Sequence, residues 1–108
     1  MDRTWAAFDL ADVAQRHRQA GDDPWLEFLR VSSLRAGLYV LPAGATDPQT
    51  PHAEDEVYHV LRGSARFTAD GSEMEVGPGT VLYVAAYTDH RFHTIEEDLE
   101  VLVFFART

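Results

Sequence analysis

Residues 44 to 63 read Gly44-Ala45-Thr46-Asp47-Pro48-Gln49-Thr50-Pro51-His52-Ala53-Glu54-Asp55-Glu56-Val57-Tyr58-His59-Val60-Leu61-Arg62-Gly63. The first half is dense in Pro, Thr and Asp, the composition of a loop. The second half, Glu56 to Leu61, has the β-branched and aromatic content of a strand. His52 and Glu56 stand four apart. On regular extended chain an even separation puts both side chains on one face, although the prolines perturb the approach. Tyr58 shares the face of Glu56. Neutral imidazole and carboxylate are donors that hard-to-borderline divalent ions accept.

A second stretch, Gly79 to Thr94, ends on His90-Arg91-Phe92-His93-Thr94 and places His90 at the opening of a strand over Arg91 to Ile95. The two stretches together resemble the paired motifs of the cupin family. The first motif runs glycine, five residues, histidine, one, histidine, three or four, glutamate, six, glycine; Gly44, His52, Glu56 and Gly63 fit it, and Thr50 stands at the first histidine position. The second is similar at Gly79 and His90, while Ala85, Tyr87 and Thr94 replace its proline, glycine and asparagine. The resemblance spans residues 25 to 106. It implies an all-β, single-domain double-stranded β-helix, or jelly-roll barrel, holding one divalent metal ion on His52, Glu56 and His90. Iron, zinc, manganese, nickel and copper all tolerate such a two-histidine, one-carboxylate set, which is the facial triad of non-heme iron oxygenases. Thr50 vacates one ligand position, and Gln49 next to it is a candidate for supplying an oxygen.

Outward from these motifs, the chain of 108 residues suits one domain, divided here into an N-terminal segment with a short helix, residues 1–24, and a barrel, residues 25–108. Asp9 caps a helix expected over Leu10 to Ala20, with Gly21 as its stop. Strands are expected over Trp25 to Val31, Leu38 to Leu41, Glu56 to Leu61, Ala65 to Thr68, Glu73 to Val76, Val81 to Val84, Arg91 to Ile95 and Leu99 to Ala106. Arg62-Gly63-Ser64 reads as a turn, and Asp70-Gly71 as a hairpin. Short strands at this spacing indicate a sandwich or barrel.

Composition removes several functions. There is no cysteine and no lysine, so disulfides, thiolate nucleophiles and Schiff-base lysines are excluded. A net charge of −9 repels phosphate backbones, so nucleic acid is not an expected partner. The longest apolar run, Val81 to Tyr87, is too short to span a bilayer, and the first residues lack an apolar signal region. A cytoplasmic protein with no membrane partner is the expectation. Val101 to Phe105 is apolar on both faces, which predicts a homodimer.

Tyr58, facing the barrel, and Tyr87, three residues before His90, are the candidate catalytic acid–base side chains. A tyrosine at the family's glycine position is expected to avoid positive φ, so that the loop differs there and the phenol overhangs the pocket. His17, His59 and His93 are read as packed or surface histidines. The leading expectation is a metal-dependent enzyme acting on a small organic molecule, dioxygenase-like or a non-redox isomerase or cyclase. The alternatives are a module that binds or senses a small molecule, separated by the absence of turnover, and a subunit of a larger assembly, separated by dependence on a partner chain.

Overall fold

The computed structural model describes residues 4–107. Met1 to Arg3 and Thr108, which the sequence reading includes in the N-terminal segment and the barrel, lie outside the described residues. Helix α1, Leu10–Gln19, is followed by strands β1 (Trp25–Arg30), β2 (Leu34–Leu41), β3 (Glu56–Ala69), β4 (Ser72–Val76), β5 (Val81–Val84) and β6 (His90–Ala106). The strand order is β1-β2-β6-β3-β4, with β5 also paired to β3, and every pairing is antiparallel. This is a single-domain jelly-roll barrel.

The helix starts where the cap was expected. The Asp9 carboxylate accepts from the Ala11 amide at 2.9 Å, satisfying an otherwise orphaned donor of the first turn. The helix packs against β1 and β2, and Val13 of the helix and Ala36 and Leu38 of β2 are buried.

Three expectations about the strands are corrected. The turn at Arg62-Gly63-Ser64 is not a break: β3 runs unbroken for 14 residues and bends there. The segments Arg91–Ile95 and Leu99–Ala106 are likewise one 17-residue strand. The pairing of β3 with β6 slips register between Val60 and Arg62, Arg62 and Ser64, and Ser64 and Arg66. Such bulges let paired strands turn a corner without ending. Gly63, at φ 92°, allows the corner, and a Cβ there would collide with the Asp98 carbonyl. β2 also begins earlier than expected, at Leu34, which puts Arg35, Gly37, Tyr39 and Leu41 on its inward face.

Because β3 and β6 bend together, each forms a U. Glu56 pairs with Phe105 and Ala69 with His90, so the first residue of each strand lies at the open end. The bend end is filled by Val60, Ala65, Ile95, Leu99 and Val101, all buried in one apolar core. Tyr58, Phe67 and Phe92 form the next layer, their rings 4.9–6.0 Å apart.

Candidate metal centre

The open end of the U brings the candidate ligands together. Glu56 opens β3 and is 2% exposed; His90 opens β6 and is 4% exposed. His52 comes from the loop between β2 and β3. Each of the three offers one ligand atom, and these atoms lie within 4.8 Å of one another. The loop is tied down on several sides. The Gly44 amide donates to the Ile95 carbonyl at 2.9 Å, the Ala86 amide to the Asp55 carboxylate at 2.8 Å, and the Tyr87 amide to the His52 carbonyl at 2.6 Å.

The His90 Nδ1 lies 2.7 Å from the Thr88 carbonyl. A carbonyl only accepts, so Nδ1 carries a proton and Nε2 is the atom turned inward. That Nε2 lies 2.7 Å from a Glu56 oxygen, Oε1. A bare nitrogen lone pair and a carboxylate oxygen repel at that distance, so the pair demands a proton or a cation between or beside them. Burial opposes the imidazolium, but the Glu56 carboxylate, the Thr88 carbonyl and Asp47 together hold His90 above the usual histidine range. The other Glu56 oxygen, Oε2, is buried and has no hydrogen-bond partner among the described residues. An unmet oxygen on a carboxylate grouped with two imidazoles is an arrangement that a divalent cation satisfies. The residues present therefore fit the metal that the fold family implies.

Tyr58 lies against this group. Its hydroxyl is 2.7 Å from Gln49 Oε1, 3.1 Å from Glu56 Oε1 and 2.9 Å from His90 Nε2. The hydroxyl has a single proton to give to these three neighbours. Burial and the Glu56 carboxylate push the phenol far above its ordinary pKa, so it acts as a donor. Gln49 has its oxygen on Tyr58 and its amide nitrogen 2.7 Å from Asp47. Thr50 is exposed. His17 is buried under the helix with Nε2 on the Pro24 carbonyl at 2.8 Å, and His93 pairs with Glu73 at 3.0 Å. Neither joins the ligand group, and nor does His59.

The expectation for Tyr87 is corrected on both counts. It takes the positive-φ conformation, at 65°, because the hydrogen bonds of its amide and its neighbours fix the loop. Its side chain is 75% exposed and does not line the adjoining cavity. Tyr87 contributes a backbone donor that holds His52, with no phenol over the pocket.

Beside the ligand group lies a cavity of ≈ 130 Å³, walled by Trp25, Arg35, Tyr39, His52, Tyr58 and Phe105. Gly37 makes room for its Trp25 wall, since a Cβ there would collide with the indole. Sequence reasoning missed three residues that shape this end. Asp47 is buried, accepts the Tyr39 hydroxyl and the Gln49 side chain, and takes the Phe92 amide at 2.9 Å, so one carboxylate joins the loop to β2 and β6. It sits among loop residues, where no periodicity marks it. Tyr39 and Arg35 would have been found by extending the alternation of β2 back from Leu41 to Leu34.

The chain belongs to the Cupin domain family, which it matches over residues 37–105. Members of that superfamily include metal-dependent enzymes and non-catalytic proteins. It is 48% identical over 100 residues to the uncharacterised protein SCO3923 of Streptomyces coelicolor, covering 93% of this chain and 94% of that one. Among solved structures it is similar to the cupin domain of Schizosaccharomyces pombe Cnp3, with TM-score 0.71 and 18% identity over 78% of this chain and 64% of that one. It is also similar to the DMSP lyase DddQ of Ruegeria pomeroyi, with TM-score 0.69 and 25% identity over 78% of this chain and 47% of that one. The chain thus spans less than two thirds of either of those structures. Among the described residues, no helix is long and apolar enough to cross a membrane.

Proposed function

We propose that this protein is a small metal-dependent cupin enzyme whose His52, Glu56 and His90 hold one divalent ion and whose substrate is a small organic molecule in the adjoining cavity. The observation that carries the proposal is the buried, unpartnered Glu56 Oε2 beside two converging imidazoles. A bound ion supplies Lewis acidity and, for iron, copper, nickel or manganese, redox chemistry. The chain's own residues do the rest. The Thr88 carbonyl fixes the tautomer of His90, a role usual for the outer partner of a ligating histidine. Tyr58 holds a proton on its hydroxyl next to the ligand atoms and is the candidate acid. Gln49 orients that hydroxyl, and Asp47 orients Gln49. Trp25 and Phe105 exclude water from the cavity wall.

The proposal is tested by elemental analysis of protein purified without a metal-affinity tag, together with melting curves of stripped protein reloaded with zinc, iron(II), manganese and nickel. Occupancy near one per chain and a higher melting temperature are expected. A flat melting response to all four ions, with no metal on the purified protein, overturns it. A non-catalytic ligand-binding protein is the second reading. It is favoured by the mutual satisfaction of Tyr39, Asp47, Gln49 and Tyr58, which leaves few groups waiting for a substrate. Turnover separates the two.

A homodimer belongs to the same proposal. The outer face of the sheet carries Tyr83, Val57 and Phe104 in one cross-strand row, with Val81 in the next, and Tyr83 and Val81 are 68% and 63% exposed. Pairing of two such faces would cover it. Light scattering at micromolar concentration is expected to give twice the 12.1 kDa chain mass.

A further inference from the structure

The cavity has a second polar wall besides the ligand group. Arg35, inward on β2, lays its guanidinium carbon 3.9 Å from the centre of the Phe105 ring and 6.0 Å from that of Trp25. His52 meets the same Phe105 edge-on at 5.1 Å. Phe105 is thus a shared floor, with a candidate metal ligand at one side and a guanidinium at the other. All three line the cavity, so a small molecule in it meets both.

The guanidinium is held firmly. Its Nε donates to both oxygens of Glu54, at 3.1 and 3.3 Å, its Nη2 to Glu54 at 2.8 Å and its Nη1 to Glu27 at 3.2 Å. These bonds use three of the five N–H protons of an arginine, and two are left without a partner among the described residues. Arg30 closes the row by bonding Glu27 at 2.7 Å. The four residues Arg30, Glu27, Arg35 and Glu54 therefore alternate in sign and sum to zero. Arg35 lines the cavity with two N–H protons unused, and its own charge is opposed directly by Glu27 and Glu54.

We infer that Arg35 is the specificity-determining residue of the cavity: it takes the uncharged carbonyl or amide oxygen of a small planar ligand and discriminates against a carboxylate at that end. An uncharged acceptor loses little on leaving water and gains a hydrogen bond to a charged donor. A carboxylate must shed a much larger hydration, and a clamp already neutralised by Glu27 and Glu54 does not compensate it. The flat apolar body is set by Trp25 and Phe105. This inference deepens the proposed function and rests on it only for the end of the ligand that faces the metal ligands.

The test uses three probes of matched shape: isonicotinamide, isonicotinate and 4-methylpyridine. The ring nitrogen of each can ligate a metal, and only the far substituent differs. Binding is measured by calorimetry on zinc-loaded and on metal-free protein. Isonicotinamide is expected to bind at least about 10-fold more tightly than isonicotinate, and about 3- to 10-fold more tightly than 4-methylpyridine, the range of one hydrogen bond. Arg35→Met should bring isonicotinamide and 4-methylpyridine together. Glu54→Gln, which unmasks the guanidinium charge, should raise isonicotinate affinity at least about 10-fold. If Arg35→Met fails to fold, Glu54→Gln carries the test alone.

Equal or tighter binding of isonicotinate by the unaltered protein overturns the inference, and so does an amide preference that survives Arg35→Met or an isonicotinate affinity unmoved by Glu54→Gln. Absence of binding by all three probes to both forms also overturns it. Failure of zinc to bind overturns the proposed metal centre instead, and the amide preference is then read from the metal-free protein.

Discussion

The two ends of the U formed by β3 and β6 bury the same kind of position and put opposite chemistry in it. At the bend, the inward side chains are Val60, Ala65, Ile95, Leu99 and Val101. At the open end they are Glu56 and His90, with Arg35 of β2 and Tyr58 close by. Alternation along the strands selects inward positions at both ends equally. Apolar side chains there need only fill volume, whereas buried charges destabilise the fold unless paired or ligated. The open end therefore holds groups that stability alone does not require. Three of its hydrogen bonds hold a polar side chain in orientation: Thr88 to His90, Asp47 to Gln49 and Gln49 to Tyr58.

The sharpest test of this contrast truncates one buried side chain at each end. Leu99→Ala at the bend removes a fully buried side chain. It is expected to cost about 2–5 kcal/mol of unfolding free energy, read by urea denaturation, while the rise in melting temperature on adding metal persists. Glu56→Gln at the open end keeps shape and volume but removes the charge. It should abolish metal-induced stabilisation, which in the unaltered protein is about 2.7 kcal/mol at a metal concentration 100 times the dissociation constant. If Glu56→Gln still gains stability from metal, the open end is only a polar patch of core.

These tests lean on a fold that was largely legible in the sequence. Gly44, His52, Glu56, Gly63, Gly79 and His90 stand at the family spacing, and the alternation around them gave the strands near the site. What was not legible is what depends on contacts distant in sequence. Gly63 reads as a turn because glycine after a strand usually ends it. Only the Asp98 backbone packed against it shows that the strand bends and continues. Asp47 reads as loop polarity because its partners, Tyr39 and Phe92, come from other strands. Tyr87 reads as a lid because its position before His90 is visible in sequence and its solvent-facing side chain is not.

A smaller effect separates the cavity mouth from the bend by pH. Arg35 is the first cause of the lowered Glu54 pKa, against burial. At Glu27 burial acts upward, but Arg30 and Arg35 outweigh it. Carboxylates held below their ordinary value stabilise the fold at pH above the unfolded-state value, 4.5, and lose that contribution as pH falls through the lower folded-state value. Melting temperatures from pH 7 to pH 3 should therefore show Arg35→Met destabilised relative to the unaltered protein at neutral pH. The gap should narrow below pH 4.5. Leu99→Ala should show a constant gap over the same range, since no titrating group is involved. A gap for Arg35→Met that widens on acidification would mean that the clamp is not held by its carboxylates.

The smallest expected effect concerns backbone strain at each end. Thr94, close to the bend in β6, has φ 50°, and Tyr87, near the mouth, has φ 65°. Left-handed backbone costs an L-residue roughly 1–2 kcal/mol, and a β-branched residue is among the least suited to it. Asparagine tolerates that region without adding chain entropy as glycine does. Thr94→Asn should therefore stabilise by about 1 kcal/mol, a rise of about 4–8 °C in melting temperature for a domain near this size. The Thr94 hydroxyl bond to His93, exposed and 3.1 Å long, takes little away from that gain. Tyr87→Gly relieves a similar strain, but the glycine loosens the unfolded chain by about 0.5–1 kcal/mol, so its net effect should be close to zero. It should also leave metal affinity unchanged, because the tyrosine amide that donates to the His52 carbonyl is kept as the glycine amide. A loss of metal affinity in Tyr87→Gly with Thr94→Asn neutral would reverse the assignment: strain at the mouth would then be what positions His52, and strain at the bend would be incidental.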